Sequence, residues 1–132
     1  MTGEYTEKLP TGGEIKVTSS NWYISYYFSG PDLRYNGTFV TIPGKEIDDY
    51  IRAWRNNFKK YVYLKNTIPA GGEYTTHGDK NMDIRIGNWN GGVCLRAYHM
   101  PVNNEQRLEA VIRDYEYAKK RARQIQAMLE KL

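Results

Sequence analysis

The amino-acid sequence predicts an α+β fold in which one antiparallel sheet is built from two β-hairpin–helix units, in the order ββαββα. Three observations carry this prediction. Strand-like runs come in pairs, each pair ends in an apolar residue followed by proline, and a helical pattern begins a few residues later. The units run from Tyr23 to Tyr61 and from Met82 to Arg121. The length of 132 residues fits a single domain, which we expect to span residues 15–132.

The first unit follows residues 1–14, which mix Thr, Gly, Glu, Lys and Pro and are expected to form a flexible lead-in. From Ile15 to Phe28 the residues are those that strands favour, which predicts one long strand or two short ones. Gly37–Ile42 predicts the next strand. A helix is expected after it, because apolar residues recur at steps of three and four: Ile47, Tyr50, Ile51, Trp54, Phe58 and Tyr61.

The second unit begins after a break that contains Pro and Gly at residues 68–72, and the segment from there to Asn81 is expected to be a loop. Met82–Ile86 alternates apolar and polar residues, and Val93–Met100 alternates again, as half-buried strands do. Residues 88–92 (NWNGG) predict the turn between these two strands.

The end of the sequence predicts one long helix, capped by Asn103 or Asn104, that continues to Leu132 without Gly or Pro. Its apolar positions advance by alternate steps of three and four, which is the heptad spacing of helices that pack against one another. These heptad positions are Leu108, Val111, Tyr115, Ala118, Ala122, Ile125, Leu129 and Leu132. A helix of this length reaches beyond a small sheet, so we expect a second copy of the chain to cover its distal half in a homo-oligomer.

Composition excludes several classes of protein. A hydrophobic share of 40% and a charged share of 26% exclude global disorder. The single cysteine excludes an internal disulfide and a metal site made of several cysteines, so a reducing compartment is expected. The first residues lack the apolar region of a signal peptide, and no apolar run approaches membrane-spanning length. We therefore expect a soluble cytoplasmic protein with no membrane partner.

The sequence shows no residue pattern typical of catalysis. His77 lies in a Gly-rich segment and His99 lies on a predicted strand, without a third metal ligand at a recognisable spacing. Cys94 and His99 are an odd number of residues apart on one predicted strand, so their side chains are expected on opposite faces. We expect a protein that is not an enzyme and uses neither a metal nor a cofactor.

The hairpin of the second unit carries the candidate binding site. When Ile84 and Ile86 face the core, the polar positions between and opposite them face solvent. Two guanidinium groups beside an aromatic ring suit a phosphate or carboxylate while a planar group stacks on the ring. The ligand-binding candidates are Arg85, Arg96 and Tyr98 on the strands, Trp89 and Asn90 at the tip, and Arg107 and Arg113 on the last helix. An ordinary solvated sheet face with cross-strand pairing of aspartate and arginine explains the same alternation and is the favoured interpretation from sequence alone.

The first predicted helix carries a second group of polar residues beside its apolar stripe, namely Arg52, Arg55, Asn56 and Lys59. Their helical spacing suits a strip that faces a phosphate. A solubilising helix face explains the same spacing and is the favoured interpretation from sequence alone.

The order of a hairpin, a middle helix, the hairpin MDIRIGNWNGGVCLRAYHMP and a long Arg-bearing last helix resembles the phage-encoded anti-Thoeris sponges. These are small oligomeric proteins that sequester the cyclic ADP-ribose-type signal of a bacterial defence system. The resemblance is one of architecture, and no residue roles are transferred from it. It implies a non-catalytic protein that forms a hexamer in the cytoplasm of an infected host.

These observations favour an oligomeric protein that binds and sequesters a small phosphorylated signalling nucleotide, of the cyclic ADP-ribose type or a cyclic oligonucleotide, in an anti-defence role. Two alternatives stay open. One is an inhibitor directed at a protein such as a bacterial defence nuclease. The small size of this chain and its exposed aromatic residues suit such an inhibitor. The other is a nucleic-acid-binding protein, although a net charge of +4 argues against high affinity, because phosphate neutralisation dominates such binding.

Overall fold

A computed structural model describes residues 3–28, 38–90, 92–97 and 102–131. The elements in chain order are β1 (Tyr5–Lys8), β2 (Glu14–Val17), β3 (Trp22–Phe28), β4 (Thr38–Pro43), α1 (Ile47–Lys65), β5 (Glu73–Thr76), β6 (Ile84–Trp89), β7 (Gly92–Ala97) and α2 (Glu105–Glu130).

The described strands form two antiparallel sheets. Sheet A has the order β1-β2-β3-β4, and sheet B has the order β5-β6-β7. The α+β class, the antiparallel pairing and the long last helix agree with the prediction from sequence. The prediction of one sheet with the order ββαββα is wrong, because four of the described strands precede α1, the other three lie between α1 and α2, and they form two sheets.

The two strands that the sequence analysis missed are short and mostly exposed. β1 lies within the segment predicted to be a flexible lead-in, and β5 lies within the segment predicted to be a loop. Neither alternates buried and exposed residues in the way that reveals a strand in sequence, since β5 buries only Thr76. Both are completed by pairing with a neighbour, β1 with β2 and β5 with β6.

The two helices cover one face of each sheet. α2 contacts β2 and β3, whereas α1 contacts β5 and β6. The helices run antiparallel, because Glu105 in the first turn of α2 accepts a hydrogen bond from Tyr61 near the end of α1, and Asp48 in the first turn of α1 pairs with Lys119. One cluster of buried side chains includes residues from both sheets and both helices.

The predicted stripe of α1 forms part of this core. Ile47, Ile51, Trp54 and Tyr61 are buried, while Tyr50 and Phe58 pack against the core and stay partly exposed. The stripe was therefore correctly predicted. α2 begins as the sequence predicts, since the side chain of Asn104 accepts a hydrogen bond from the backbone N–H of Arg107.

The heptad positions of α2 are buried inside the chain itself. The intramolecular core includes Leu108, Val111, Tyr115, Ala118, Ala122 and Ile125, and Leu129 packs against it. Leu132 lies outside the described residues. The sequence analysis assumed that the distal half of α2 has no partner surface within the chain and therefore needs a second copy. This assumption is wrong, because the first strands of sheet A and the loops that join them already lie there. Gln126 donates a hydrogen bond to the carbonyl of Thr18, for example, across 3.3 Å.

The N-terminal strand is fixed to α2 by buried and half-buried polar contacts. Arg121 Nε lies 2.9 Å from Glu7 Oε2, and this guanidinium lowers the pKa of the Glu7 carboxyl. The carboxylate of buried Asp114 accepts hydrogen bonds from the backbone N–H of Thr11 at 3.2 Å, from the Thr11 hydroxyl and from the Tyr26 hydroxyl. These contacts explain why the residues before β2 are ordered against the helix.

Candidate functional site

The candidate hairpin is made of β6 and β7. Ile84 and Ile86 are buried against the core, as predicted, so Arg85 between them points to the opposite side of the sheet. In the antiparallel register Arg85 lies directly opposite Arg96 of β7. We call the solvent-facing side of sheet B, which carries Arg85, Arg96 and Trp89, the sheet B face.

The two arginines of the sheet B face differ in their partners. The guanidinium of Arg85 forms an ion pair with Glu73 on the neighbouring strand β5. Arg96 is half-buried, and within the described part of the chain no carboxylate pairs with it. Like charges placed directly opposite each other on a sheet destabilise it. Among the described residues, Glu73 is therefore the one carboxylate that compensates the Arg85–Arg96 pair.

The ring of Trp89 lies over Gly87 on the sheet B face. Residues 85, 87 and 89 share this face, and a Cβ atom added at Gly87 would stand 2.1 Å from Cζ3 of the Trp89 ring. The ring thus occupies the space above Gly87 that a side chain would fill. Trp89 nevertheless stays 43% exposed.

The remaining predicted site residues are distributed over the molecule. Asn90 follows Trp89 at the hairpin tip with a left-handed φ of 53° and is exposed. Tyr98 lies outside the described residues. Arg107 and Arg113 are both exposed on α2, whereas the sheet B face points away from the helix-covered side of the sheet. Among the described candidates, Arg85, Arg96 and Trp89 share one face of the hairpin, Asn90 lies beside Trp89 at its tip, and the two arginines of α2 lie apart from them.

Arg113 instead belongs to a groove between the two helices. This helix groove has a volume of about 660 Å³. Its apolar floor consists of Ile51 and Phe58 of α1 and Ile112 of α2. Its polar lining consists of Asp48, Arg52, Arg55, Asn56, Lys59, Glu109 and Arg113.

The helix groove is positively charged, since four cationic and two anionic side chains line it. Arg52 lies 2.6 Å from Asp49, and Arg55 pairs with Glu116. Arg113 lies 3.9 Å from Glu109, at the outer limit of an ion pair. Among the described residues no acidic partner contacts Lys59, which is exposed.

One acidic side chain of the groove is held in its charged form. Asp48 at the start of α1 accepts a hydrogen bond from Lys119 at 2.6 Å, and this contact lowers the pKa of the Asp48 carboxyl. The charges of Arg123 and Arg52 act in the same direction. A ligand therefore meets an ionised acceptor at this end of the groove as well as the cationic side chains.

The polar strip of α1 is visible in the sequence, where a solubilising role is its favoured interpretation. The groove is lined by Arg52, Arg55, Asn56 and Lys59, and it exists only because α2 lies beside α1. The helical spacing was the available signal. The depth between the helices and the approach of Arg113 depend on how the helices pack, and no local pattern in the sequence shows that.

The described residues include no group of three or more His, Cys, Asp or Glu side chains placed to hold a metal ion. His77 is exposed, and its Nδ1 lies 3.4 Å from Asp83 Oδ1. Cys94 is exposed on β7, and His99 lies outside the described residues. In the described part of the chain, no helix combines the length and apolar character needed to cross a bilayer.

The helix groove offers cationic side chains to an anion and an apolar floor to the rest of the same ligand. The sheet B face offers an aromatic ring beside two guanidinium groups.

Comparison of the chain with protein-family models, with curated proteins and with solved structures gives no match.

Proposed function

We propose that the protein binds a small phosphorylated molecule of the nucleotide class in the helix groove. A single observation carries this proposal: four cationic side chains surround an apolar floor in a groove of about 660 Å³. Small-molecule sites are concave, mostly apolar and typically several hundred Å³ in volume. The helix groove combines such a volume with an apolar surface, so we place the small ligand there.

The cationic side chains of the groove suit phosphate oxygens. Lys59 is available, because no described acidic residue pairs with it. Arg113 is nearly available, because its contact with Glu109 is 3.9 Å long and exposed. Hydrogen bonds between guanidinium or ammonium groups and phosphate are charge-assisted and stronger than those between neutral groups.

The other lining residues suit the rest of a nucleotide. The ring of Phe58 and the side chains of Ile51 and Ile112 provide an apolar surface for a flat base. The carboxylates of Asp48 and Glu109 can accept hydrogen bonds from ribose hydroxyls or an exocyclic amine. A ligand that combines phosphate, hydroxyl donors and a planar ring uses all three kinds of lining.

The groove is formed by one chain, so the proposal does not depend on a homo-oligomer. A protein that binds a signalling nucleotide without converting it acts by sequestration, which is also the role implied by the resemblance to the anti-Thoeris sponges. Sequestration and an anti-defence role remain predictions from the sequence, as does assembly into an oligomer, for which the buried stripe of α2 gives no support. The groove supports the ligand class alone.

Isothermal titration calorimetry of the full chain with cyclic AMP, cyclic di-AMP and ADP tests the proposal, with adenosine as the uncharged reference. We expect at least one phosphorylated compound to bind and adenosine to bind about tenfold more weakly or not at all. Absence of binding for every compound, or equal binding of adenosine, would overturn the proposal.

Three matched variants locate the site. Lys59→Gln and Arg113→Gln each remove one charge from the groove, and we expect each to weaken binding about tenfold. Arg107→Gln removes the same charge from the same helix as Arg113, but Arg107 does not line the groove. If Arg107→Gln weakened binding as much as the other two, the ligand would lie elsewhere.

A further inference from the structure

The sheet B face carries binding features that the proposed nucleotide site does not use. Trp89, Arg85 and Arg96 lie on β6 and β7, on the side of sheet B that faces away from the helices. From them we infer a second, independent binding surface. We propose that the sheet B face binds single-stranded nucleic acid, with a base stacked on Trp89 and the adjoining phosphates at Arg96 and Arg85.

The position of Trp89 favours stacking with a base. The ring lies over Gly87 and so packs against the strand beneath it, while Trp89 stays 43% exposed. An exposed aromatic ring on a sheet surface is the element on which single-stranded nucleic acids stack. Stacking requires only the flat face of a base, and therefore tolerates any sequence.

The opposed arginines of the sheet B face also favour nucleic acid. Arg85 and Arg96 form a directly opposed pair in the row of residues next to Gly87, and successive rows on one face are about 7 Å apart. Glu73 compensates Arg85, whereas in the described part of the chain no carboxylate pairs with Arg96. A phosphate that bridges the two guanidinium groups would remove the repulsion between them.

The open form of the face favours a polymer over a single nucleotide. The residues that flank Gly87 in its row, Glu73 and Cys94, are exposed strand residues, and Trp89 is itself 43% exposed. One nucleotide would bury little surface there. A strand gains from stacking and phosphate contacts together, and because only two guanidinium groups contribute, we expect a modest affinity that falls with salt.

Fluorescence anisotropy with a labelled deoxythymidine oligonucleotide of about 12 nucleotides tests the proposal at low salt. We expect binding by the full chain and quenching of its tryptophan fluorescence. Trp89→Ala and Arg96→Gln should each weaken binding about tenfold, because each removes one stacking or charge contact. Trp89→Phe should retain most of the affinity and lose the quenching. Absence of binding, or unchanged affinity in both weakening variants, would overturn the proposal.

Gly87→Ala separates stacking from charge. The added methyl group occupies the space of the Trp89 ring and displaces it, while every charged group stays in place. We expect weaker binding with the salt dependence unchanged. Tyr27→Ala is the matched control, since it removes an aromatic side chain that is 63% exposed on sheet A. An equal loss in Tyr27→Ala would contradict the placement on sheet B.

A poly-glutamate peptide and a groove variant distinguish the sheet B face from an acidic-protein surface and from the helix groove. The peptide provides the same kind of negative charge without bases, and binding as tight as that of the oligonucleotide would overturn the proposal in favour of an acidic protein partner. Lys59→Gln in the helix groove should leave oligonucleotide binding unchanged. The nucleotide site and the nucleic-acid surface can therefore fail separately.

Discussion

Asp114 joins two parts of the chain that are 103 residues apart in sequence. Its side chain is 3% exposed and accepts hydrogen bonds from the backbone and hydroxyl of Thr11 and from the hydroxyl of Tyr26. Burial, with the Asp114 carboxylate as a hydrogen-bond acceptor, raises the pKa of Tyr26 well above its ordinary value. Tyr26 therefore stays a neutral donor. Burying a carboxylate costs free energy unless hydrogen-bond donors surround it, and the three donors around Asp114 meet this need.

We expect Asp114→Ala to lower the free energy of unfolding by about 2–3 kcal/mol, because it removes the acceptor of several buried hydrogen bonds. Urea denaturation followed by circular dichroism measures this loss. Glu130→Ala, which changes an exposed carboxyl at the end of the same helix, should cost less than about 0.5 kcal/mol. Equal losses in the two variants would show that the Asp114 contacts do not stabilise the fold.

Residue roles such as these were only partly predictable. A glycine inside a strand pattern signals a close approach, which fits Gly87, but nothing in the sequence says that Trp89 two residues later fills the space. The sequence around Asp114 does not distinguish a buried aspartate from a solvated one. Asp114 is buried because Tyr26 reaches it from β3 and Thr11 reaches it from the loop between β1 and β2, and those contacts depend on the tertiary fold.

At the scale of elements, the end of α1 is tied to the start of α2 through Glu105. Lys65 Nζ lies 2.8 Å from Glu105 Oε1, and the Tyr61 hydroxyl donates to Oε2 across 2.7 Å. The hydrogen bonds from Lys65 and Tyr61 lower the pKa of the Glu105 carboxyl from its usual 4.5. The contact thus holds the two antiparallel helices together at the end of the groove nearest Lys59.

The lowered pKa gives this contact a defined pH dependence. A carboxyl with a lower pKa in the folded than in the unfolded chain stabilises the fold above pH 4.5, and the contribution is lost as the pH falls through the folded-state pKa. We expect Glu105→Gln to cost about 1 kcal/mol of unfolding free energy at neutral pH and almost nothing near about pH 2. Urea denaturation at the two pH values measures the difference. Glu109→Gln, one turn later, is the control, and a Glu105→Gln effect that did not change with pH would contradict the prediction.

The helices were predictable as elements, and the short strands were not. α1 and α2 each carry a long apolar periodicity that only a helix satisfies. β1 and β5 have four residues each, and mostly exposed ones, so their conformation comes from the strand that pairs with them. Heptad spacing on α2 correctly predicted a buried stripe, but spacing does not distinguish a partner helix from the inner face of the chain's own sheet.

For the whole molecule, the burial of the heptad positions changes the oligomeric state that we expect in solution from an oligomer to a monomer. Ala118, Ala122 and Ile125 are already covered by the same chain, so α2 has no unsatisfied apolar stripe along these positions. We expect sedimentation velocity at micromolar concentration to give a single species near the chain mass of 15.4 kDa. A stable larger species would contradict this and would restore the oligomer that the heptad spacing suggests.

The two candidate sites differ in how far the sequence alone could predict them. The sequence placed Arg85, Arg96 and Trp89 on one face, because a hairpin register follows from alternation and from its turn. It could not join Arg113 to Arg55 and Lys59, because the groove depends on how α1 and α2 pack. Local periodicity predicts which residues share a face of one element. Sites between elements require the packing.

The helix that covers the inner face of sheet A follows every described strand in chain order. During synthesis, the apolar side chains of β2 and β3, among them Ile15, Val17 and Ile24, leave the ribosome well before the helix that shields them. Long-range pairing of this kind slows folding, because the intervening chain must first be ordered. Newly made protein therefore has to keep these strands away from other nascent chains until its last helix emerges.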